Sequence, residues 1–128
     1  MSIYTYLAIA MFLPIILAVS SIPFRVKQLS KVNINEPRFQ AEQLTGAGGR
    51  LVAAQKNAWE ALILFTVTLF IAYANQVEPA EISLACLVFI LARISHAVFY
   101  VAGIGHGRFT AFIVALGAIT SILWTSLA

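Results

Sequence analysis

Ionisable and amide side chains recur at helical spacing in two stretches that are otherwise apolar. The first carries Arg50, Asn57 and Glu60, separated by 7 and 3 residues. At about 100° per residue these spacings place all three on one helical face. The second carries Arg93, His96 and Tyr100, separated by 3 and 4 residues, again on one face. Ionisable groups within membrane-spanning helices are costly and turn towards a bundle interior or cavity. If the two faces meet, they form a polar pocket near one end of a bundle, with Arg25 and Arg108 at the same level. The cations Arg25, Arg50, Lys56, Arg93 and Arg108 outnumber Glu60. A ligand with two or more carboxylates and one amine complements that balance, because arginine grips carboxylates through charge-assisted bonds. A spare arginine favours a thiolate, since a nearby cation lowers a thiol pKa.

Other chemistries find no support. The chain contains no Asp, so a nucleophile–His–Asp set cannot be assembled. No His, Cys, Asp or Glu cluster has metal-ligand spacing, and His106 belongs to a glycine-rich turn. The glycines at 46, 48 and 49 lack the Lys-Ser/Thr ending of a phosphate loop. Cys86 is the sole cysteine, which rules out an internal disulfide and reads as a small packed hydrophobe. Structural readings of the polar residues also stand. Arg50 and Lys56 can anchor at headgroups, Glu60 and Arg93 can form an interhelical ion pair, and Tyr100 can belong to an aromatic belt.

The elements that must position these residues follow from composition. Of 128 residues, 61% are hydrophobic and 10% charged, against roughly 45–50% and 25% in a soluble domain. A soluble domain of this size has too much surface for its volume to hide such a chain. Long uncharged runs predict four membrane-spanning helices, over about 2–24, 50–75, 81–103 and 109–127, in a single domain spanning 1–128. The runs lack the alternation of a membrane barrel. Pro14 is expected to kink the first helix, and Pro23 with Arg25 to end it. The polar segment 25–50 and the turn 103–108 read as loops. Ala18-Val19-Ser20 resembles a weak signal cleavage site, but no basic residue precedes the apolar run, which reads as a retained span.

The net charge of +3 comes from basic residues beside the spans, which gives orientation rather than nucleic-acid binding. The first connection is strongly basic, the second carries only Glu78 and Glu81, and the third has Arg108. Loops one and three are therefore expected in the cytoplasm, with both termini on the opposite side.

The stretch Arg50-Leu-Val-Ala-Ala-Gln-Lys-Asn57-Ala-Trp-Glu60 resembles the second-helix motif of the MAPEG family, the membrane-associated proteins in eicosanoid and glutathione metabolism. Arg93-Ile-Ser-His96-Ala-Val-Phe-Tyr100, followed by Arg108, resembles its third-helix motif. Asn35-Glu36-Pro37-Arg38 and Gln43-Leu44-Thr45-Gly46 are similar to compact bacterial members. The resemblance covers about residues 25–110. It implies a homotrimer in the membrane, with glutathione as co-substrate bound between subunits near the cytoplasmic face. It implies glutathione transferase or peroxidase activity on a lipophilic electrophile or hydroperoxide. Asn57 and Glu60 would bind the γ-glutamyl end, and Gln55, Lys56, Tyr100 and His96 would line the site. Arg25 would reach a carboxylate, and Arg108 would activate the thiol. Arg50 and Arg93 complete the expected glutathione-binding set. Three positions depart from the pattern: Ala53 where many relatives have arginine, Ala61 where some have tyrosine, and Phe109 where some have serine. Arg50 or Lys56 could compensate for the arginine lost at Ala53. The competing functional class is a non-catalytic lipid- or small-anion-binding membrane trimer or assembly partner. A transporter fits less well, since inverted repeats and broken helices are missing.

Overall fold

The computed structural model describes residues 2–128 and is all helical among them. Six helices follow in order: α1 (Ile3–Ser20), α2 (Ile22–Leu29), α3 (Pro37–Glu42), α4 (Gly46–Ala74), α5 (Pro79–Ala102) and α6 (Gly105–Leu127). Four stretches are long and apolar enough to cross a membrane: Ile3–Leu29, Gly46–Ala74, Pro79–Ala102 and Gly105–Leu127.

The first span differs from the sequence expectation at its end. Pro23 does not terminate the helix. The chain breaks at Ser21, whose hydroxyl donates to the Ala18 carbonyl at 2.7 Å. Pro23 then sits in the first turn of α2, where a missing N–H costs nothing. Arg25 and Lys27 consequently ride on a helix that stops at Ser30, which adopts a left-handed conformation (φ 66°). Pro14 is accommodated within α1 and is buried.

The segment between the first two spans is likewise more ordered than a loop. The Asn33 side chain accepts from the backbone N–H of Asn35 and Glu36, forming the expected turn. α3 follows, and its Gln40, 5% exposed, ties the segment together. Gln40 donates to the Lys31 carbonyl and accepts from the Asn33 N–H at 2.9 Å. The glycines at 46, 48 and 49 open α4 rather than precede it. At Gly48 an added Cβ would lie 3.0 Å from the Phe24 Cβ, so the missing side chain lets α2 lie against α4.

The third connection shortens to two residues. Gly103 ends α5 in the left-handed region (φ 77°), and Ile104 N–H bonds the Phe99 carbonyl at 2.9 Å. This is the closed helix end that glycine permits. α6 therefore begins at Gly105, and both His106 and Arg108 lie in its first turn instead of in a loop.

The bundle packs α5 most extensively against α6, and α1 against α4. Phe65 of α4 stacks on Phe89 of α5, with centroids 4.2 Å apart and planes inclined by 14°. Around this pair small residues, including Ala72, Ala92, Ala115 and Ala118, interleave with larger ones such as Leu69, Ile82 and Ile122. Helices in lipid gain from close backbone approach rather than from removing apolar surface from water. Large apolar side chains point outward accordingly, among them Ile63, Leu64, Val67 and Phe70 along α4.

Loops one and three lie together, because the Arg50 Nε donates to the Val101 carbonyl at 3.0 Å and its guanidinium lies beside Gly103. In a Cys86→Ala background, cysteines introduced at Ile34 and His106 are expected to react with an impermeant maleimide from one side of sealed vesicles. A cysteine at Glu78 is expected to react from the other. Labelling of all three from one side would contradict this arrangement.

Candidate functional site

The two polar faces read from the sequence meet between α4 and α5. Arg93 is 4% exposed. Its Nη2 donates to the Asn57 side-chain oxygen at 2.7 Å and more weakly to the Asn57 backbone carbonyl. The Asn57 amide in turn donates to the Glu60 carboxylate at 3.2 Å. Arg93 and Glu60 thus form no direct ion pair; Asn57 stands between them and passes polarity from a buried cation to an exposed carboxylate. A guanidinium withdrawn from water needs such acceptors, since an unpaired buried charge is strongly unfavourable.

A second row continues along α5 towards the third connection. The His96 ring meets the Tyr100 ring edge-on at 5.5 Å. The Arg108 guanidinium, delivered by the first turn of α6, sits 4.6 Å from the Tyr100 ring centroid. A cation over an aromatic face is held electrostatically while its N–H groups stay free for an anion. Among the described residues, two buried side-chain atoms lack any hydrogen-bond partner, Arg93 Nε and His96 Nδ1. The chain therefore assembles Asn57, Glu60, Arg93, His96, Tyr100 and Arg108 into one continuous polar strip.

The remaining expected residues lie apart from that strip in the single chain. Arg25 donates to the Pro37 carbonyl at 2.7 Å, to Gln40 and to the Ser21 hydroxyl, and so clamps the first connection. Lys56 pairs with Glu42 at 3.4 Å, both side chains being about three-fifths exposed (62% and 61%), a setting in which ion pairs contribute little. Gln55 is half-buried and, two residues before Asn57, points about 200° away from it around the helix. Arg50 is occupied by the end of α5, where helices leave carbonyls unsatisfied. It therefore does not stand in for the arginine absent at Ala53, which is half-buried. Ala61 packs against the main core and Phe109 is 63% exposed. Gln40 was not recognisable as an organiser of this end from sequence, since a polar loop residue carries no signal of burial. Among the described residues no group of His, Cys, Asp or Glu could hold a metal ion.

The sequence matches the MAPEG family over residues 3–128, essentially its full length. The chain belongs to the MAPEG family. No curated protein and no solved structure matches it. With four spans of sufficient length and apolarity, it is an integral, multi-pass membrane protein of the glutathione and eicosanoid metabolism kind. Within this MAPEG protein the motif residues of α4 and α5 are joined by the hydrogen bond between Asn57 and Arg93.

That bond sets a stability expectation. Asn57→Leu removes the shortest acceptor of a buried guanidinium and is expected to cost about 2 kcal/mol. Glu60→Gln retains that acceptor and should cost less than half as much. Thermal unfolding in detergent measures both, and a larger loss for Glu60→Gln would show that the carboxylate is the anchor.

Proposed function

We propose that the protein is a membrane-embedded glutathione-dependent transferase or peroxidase acting on lipophilic electrophiles or hydroperoxides. The observation that carries this reading is the pairing of the Asn57–Glu60–Arg93 relay with an Arg108 held over Tyr100 and retaining free donors. Glu60 offers a carboxylate for an α-amine. The excess of cations over Glu60 in the motif residues suits the two carboxylates of glutathione. Arg108 supplies the positive charge that raises the thiolate fraction. As a transferase, the thiolate attacks an electrophilic carbon and forms a thioether as the leaving group departs. As a peroxidase, it attacks the terminal hydroperoxide oxygen, giving an alcohol and a glutathione sulfenic acid. A second glutathione then yields the disulfide and water. Rate is gained from thiolate formation and from holding both reactants in register.

The protein is proposed to act as a homotrimer with glutathione between subunits. Gln55 points away from Asn57 and Lys56 lies about 100° round the same helix, so a neighbouring copy is what would bring them to a shared ligand. Further proposed is a bacterial inner-membrane location, with loops one and three cytoplasmic, and both termini opposite. The basic residues gathered in the first connection support that orientation. A non-catalytic anion- or lipid-binding role is favoured by one observation: Arg50 is committed to the Val101 carbonyl and does not stand in for the arginine absent at Ala53.

Titration of the detergent-solubilised protein with glutathione, read at the ultraviolet thiolate band, separates the two. Binding with a thiolate signal is expected. Arg108→Ala should lower that signal by about tenfold, the equivalent of one pKa unit, with little change in affinity. No binding at millimolar glutathione, in protein shown to be trimeric by native mass analysis, would overturn the enzymatic reading.

A further inference from the structure

The outward apolar stripe of the first span does not stop at the Ser21 break. Phe12, Ile16, Val19, Ile22 and Val26 are all exposed, and spacings of 4, 3, 3 and 4 keep them on one side of a helix. Phe24 and Gln28 lie against Gly48 of α4, so Val26 points away from the bundle. Ile3–Leu29 comprises 27 residues, about 40 Å at 1.5 Å per residue. That exceeds a hydrocarbon core by about 10 Å and leaves the last turns of α2 at headgroup depth.

The chain then folds back to the same depth. Arg25 donates to the Pro37 carbonyl and to Gln40, so α3 begins beside a residue one turn before the end of α2. Arg38 and Phe39 are thereby returned to the level of Arg25 instead of being carried out into water. Phe39 is 59% exposed and Ile34 84% exposed. Among the described residues, the cationic side chains that form hydrogen bonds are Arg25, Arg50, Lys56 and Arg93. Lys27, Lys31 and Arg38 form none and are exposed. Of the two acids in this segment, Glu42 pairs with Lys56, which leaves Glu36 against three free cations.

We propose that the α2–α3 cap lies in the headgroup layer and gathers anionic phospholipid. Val26, Ile34 and Phe39 enter the acyl boundary, while Lys27, Lys31 and Arg38 meet the lipid phosphates. Exposed apolar residues interleaved with basic ones are the composition of an interfacial element. A leaflet, rather than a soluble anion, is the occupant because each cation has an exposed apolar neighbour in the chain: Val26 precedes Lys27, Val32 follows Lys31 and Phe39 follows Arg38. The inference goes beyond the glutathione reading and touches no residue of the polar strip between α4 and α5.

The test places one tryptophan reporter in the cap. Full-length protein carrying Trp59→Phe, Trp124→Phe and Phe39→Trp is reconstituted in phosphatidylcholine vesicles, with brominated phosphatidylglycerol or brominated phosphatidylcholine as quencher. The anionic lipid is expected to associate about fivefold more tightly, the share of one basic side chain near a membrane, and to lose that advantage as salt is raised. Adding Lys27→Gln, Lys31→Gln and Arg38→Gln should bring the two lipids level. If that variant does not fold, Arg38→Gln alone should still lower the preference. With Trp124 kept as the sole tryptophan, at the far end of α6, no preference is expected. An absence of bromine quenching at position 39 would overturn the proposal by showing that the cap stands clear of the bilayer. Equal quenching by both lipids, a preference unmoved by the Gln substitutions, or the same preference at Trp124 would also overturn it. Displacement by soluble glycerol phosphate would assign the cations to a free anion instead. A disulfide between copies through Ile34→Cys, in the Cys86→Ala background, would give this face to a second chain and end the proposal.

Discussion

A guanidinium enclosed between helices is the constraint on which the rest of this bundle depends. Arg93 is almost fully buried in a span whose surroundings offer few acceptors. It fixes the rotation of α5 by requiring that its head reach Asn57, and it fixes the rotation of α4 by requiring that Asn57 face it. Once both helices are set, the spacing within each motif places its remaining members. Glu60 falls one turn beyond Asn57, and His96 and Tyr100 fall one and two turns beyond Arg93. The polar strip is therefore the consequence of a single interhelical hydrogen bond acting through helical periodicity.

The apolar packing obeys a different rule from that of a soluble core. Alanine is the commonest interior residue, and many large Ile, Leu and Phe side chains face outward, since lipid tails reward close helix approach rather than burial of bulk. Among the large side chains that are buried, the stacked pair Phe65–Phe89 joins the same two helices that carry the polar motifs. α4 and α5 are thus held twice, once by aromatic stacking and once by Arg93. The shorter elements do separate work: α2, α3, Arg25 and Gln40 make a folded cap over one end, while Arg50 ties the start of α4 to the end of α5.

The spans, their number and the two polar faces were legible in the sequence because membrane helices announce themselves through uncharged length and because spacings of 3, 4 and 7 are local properties. The shared face of the polar residues on α4 and on α5 was legible for the same reason. Helix ends were less so. Pro23 signals a stop or a first turn equally well, and only Ser21 decides between them. Gly46 to Gly49 look like a flexible linker until Phe24 is placed against Gly48. The choice between an ion pair and a relay for Arg93 and Glu60 was likewise hidden. It depends on the depth of each helix relative to the other, which no single-helix pattern encodes. Gln40 could not be found at all, since its burial arises from a loop folding back on itself.

The length of α4 carries a consequence of its own. Its 29 residues span about 43 Å, well beyond the about 30 Å of a hydrocarbon core. Glu60 lies midway, 14 residues from each end, and it is exposed on the helix surface. Its distance from water is therefore decided less by the protein than by the bilayer. A thicker membrane, or a helix tilted to fit a thinner one, moves the boundary of the aqueous phase relative to this carboxylate. The lipid composition around the bundle thereby becomes a control on how far an aqueous ligand must travel to reach the polar strip.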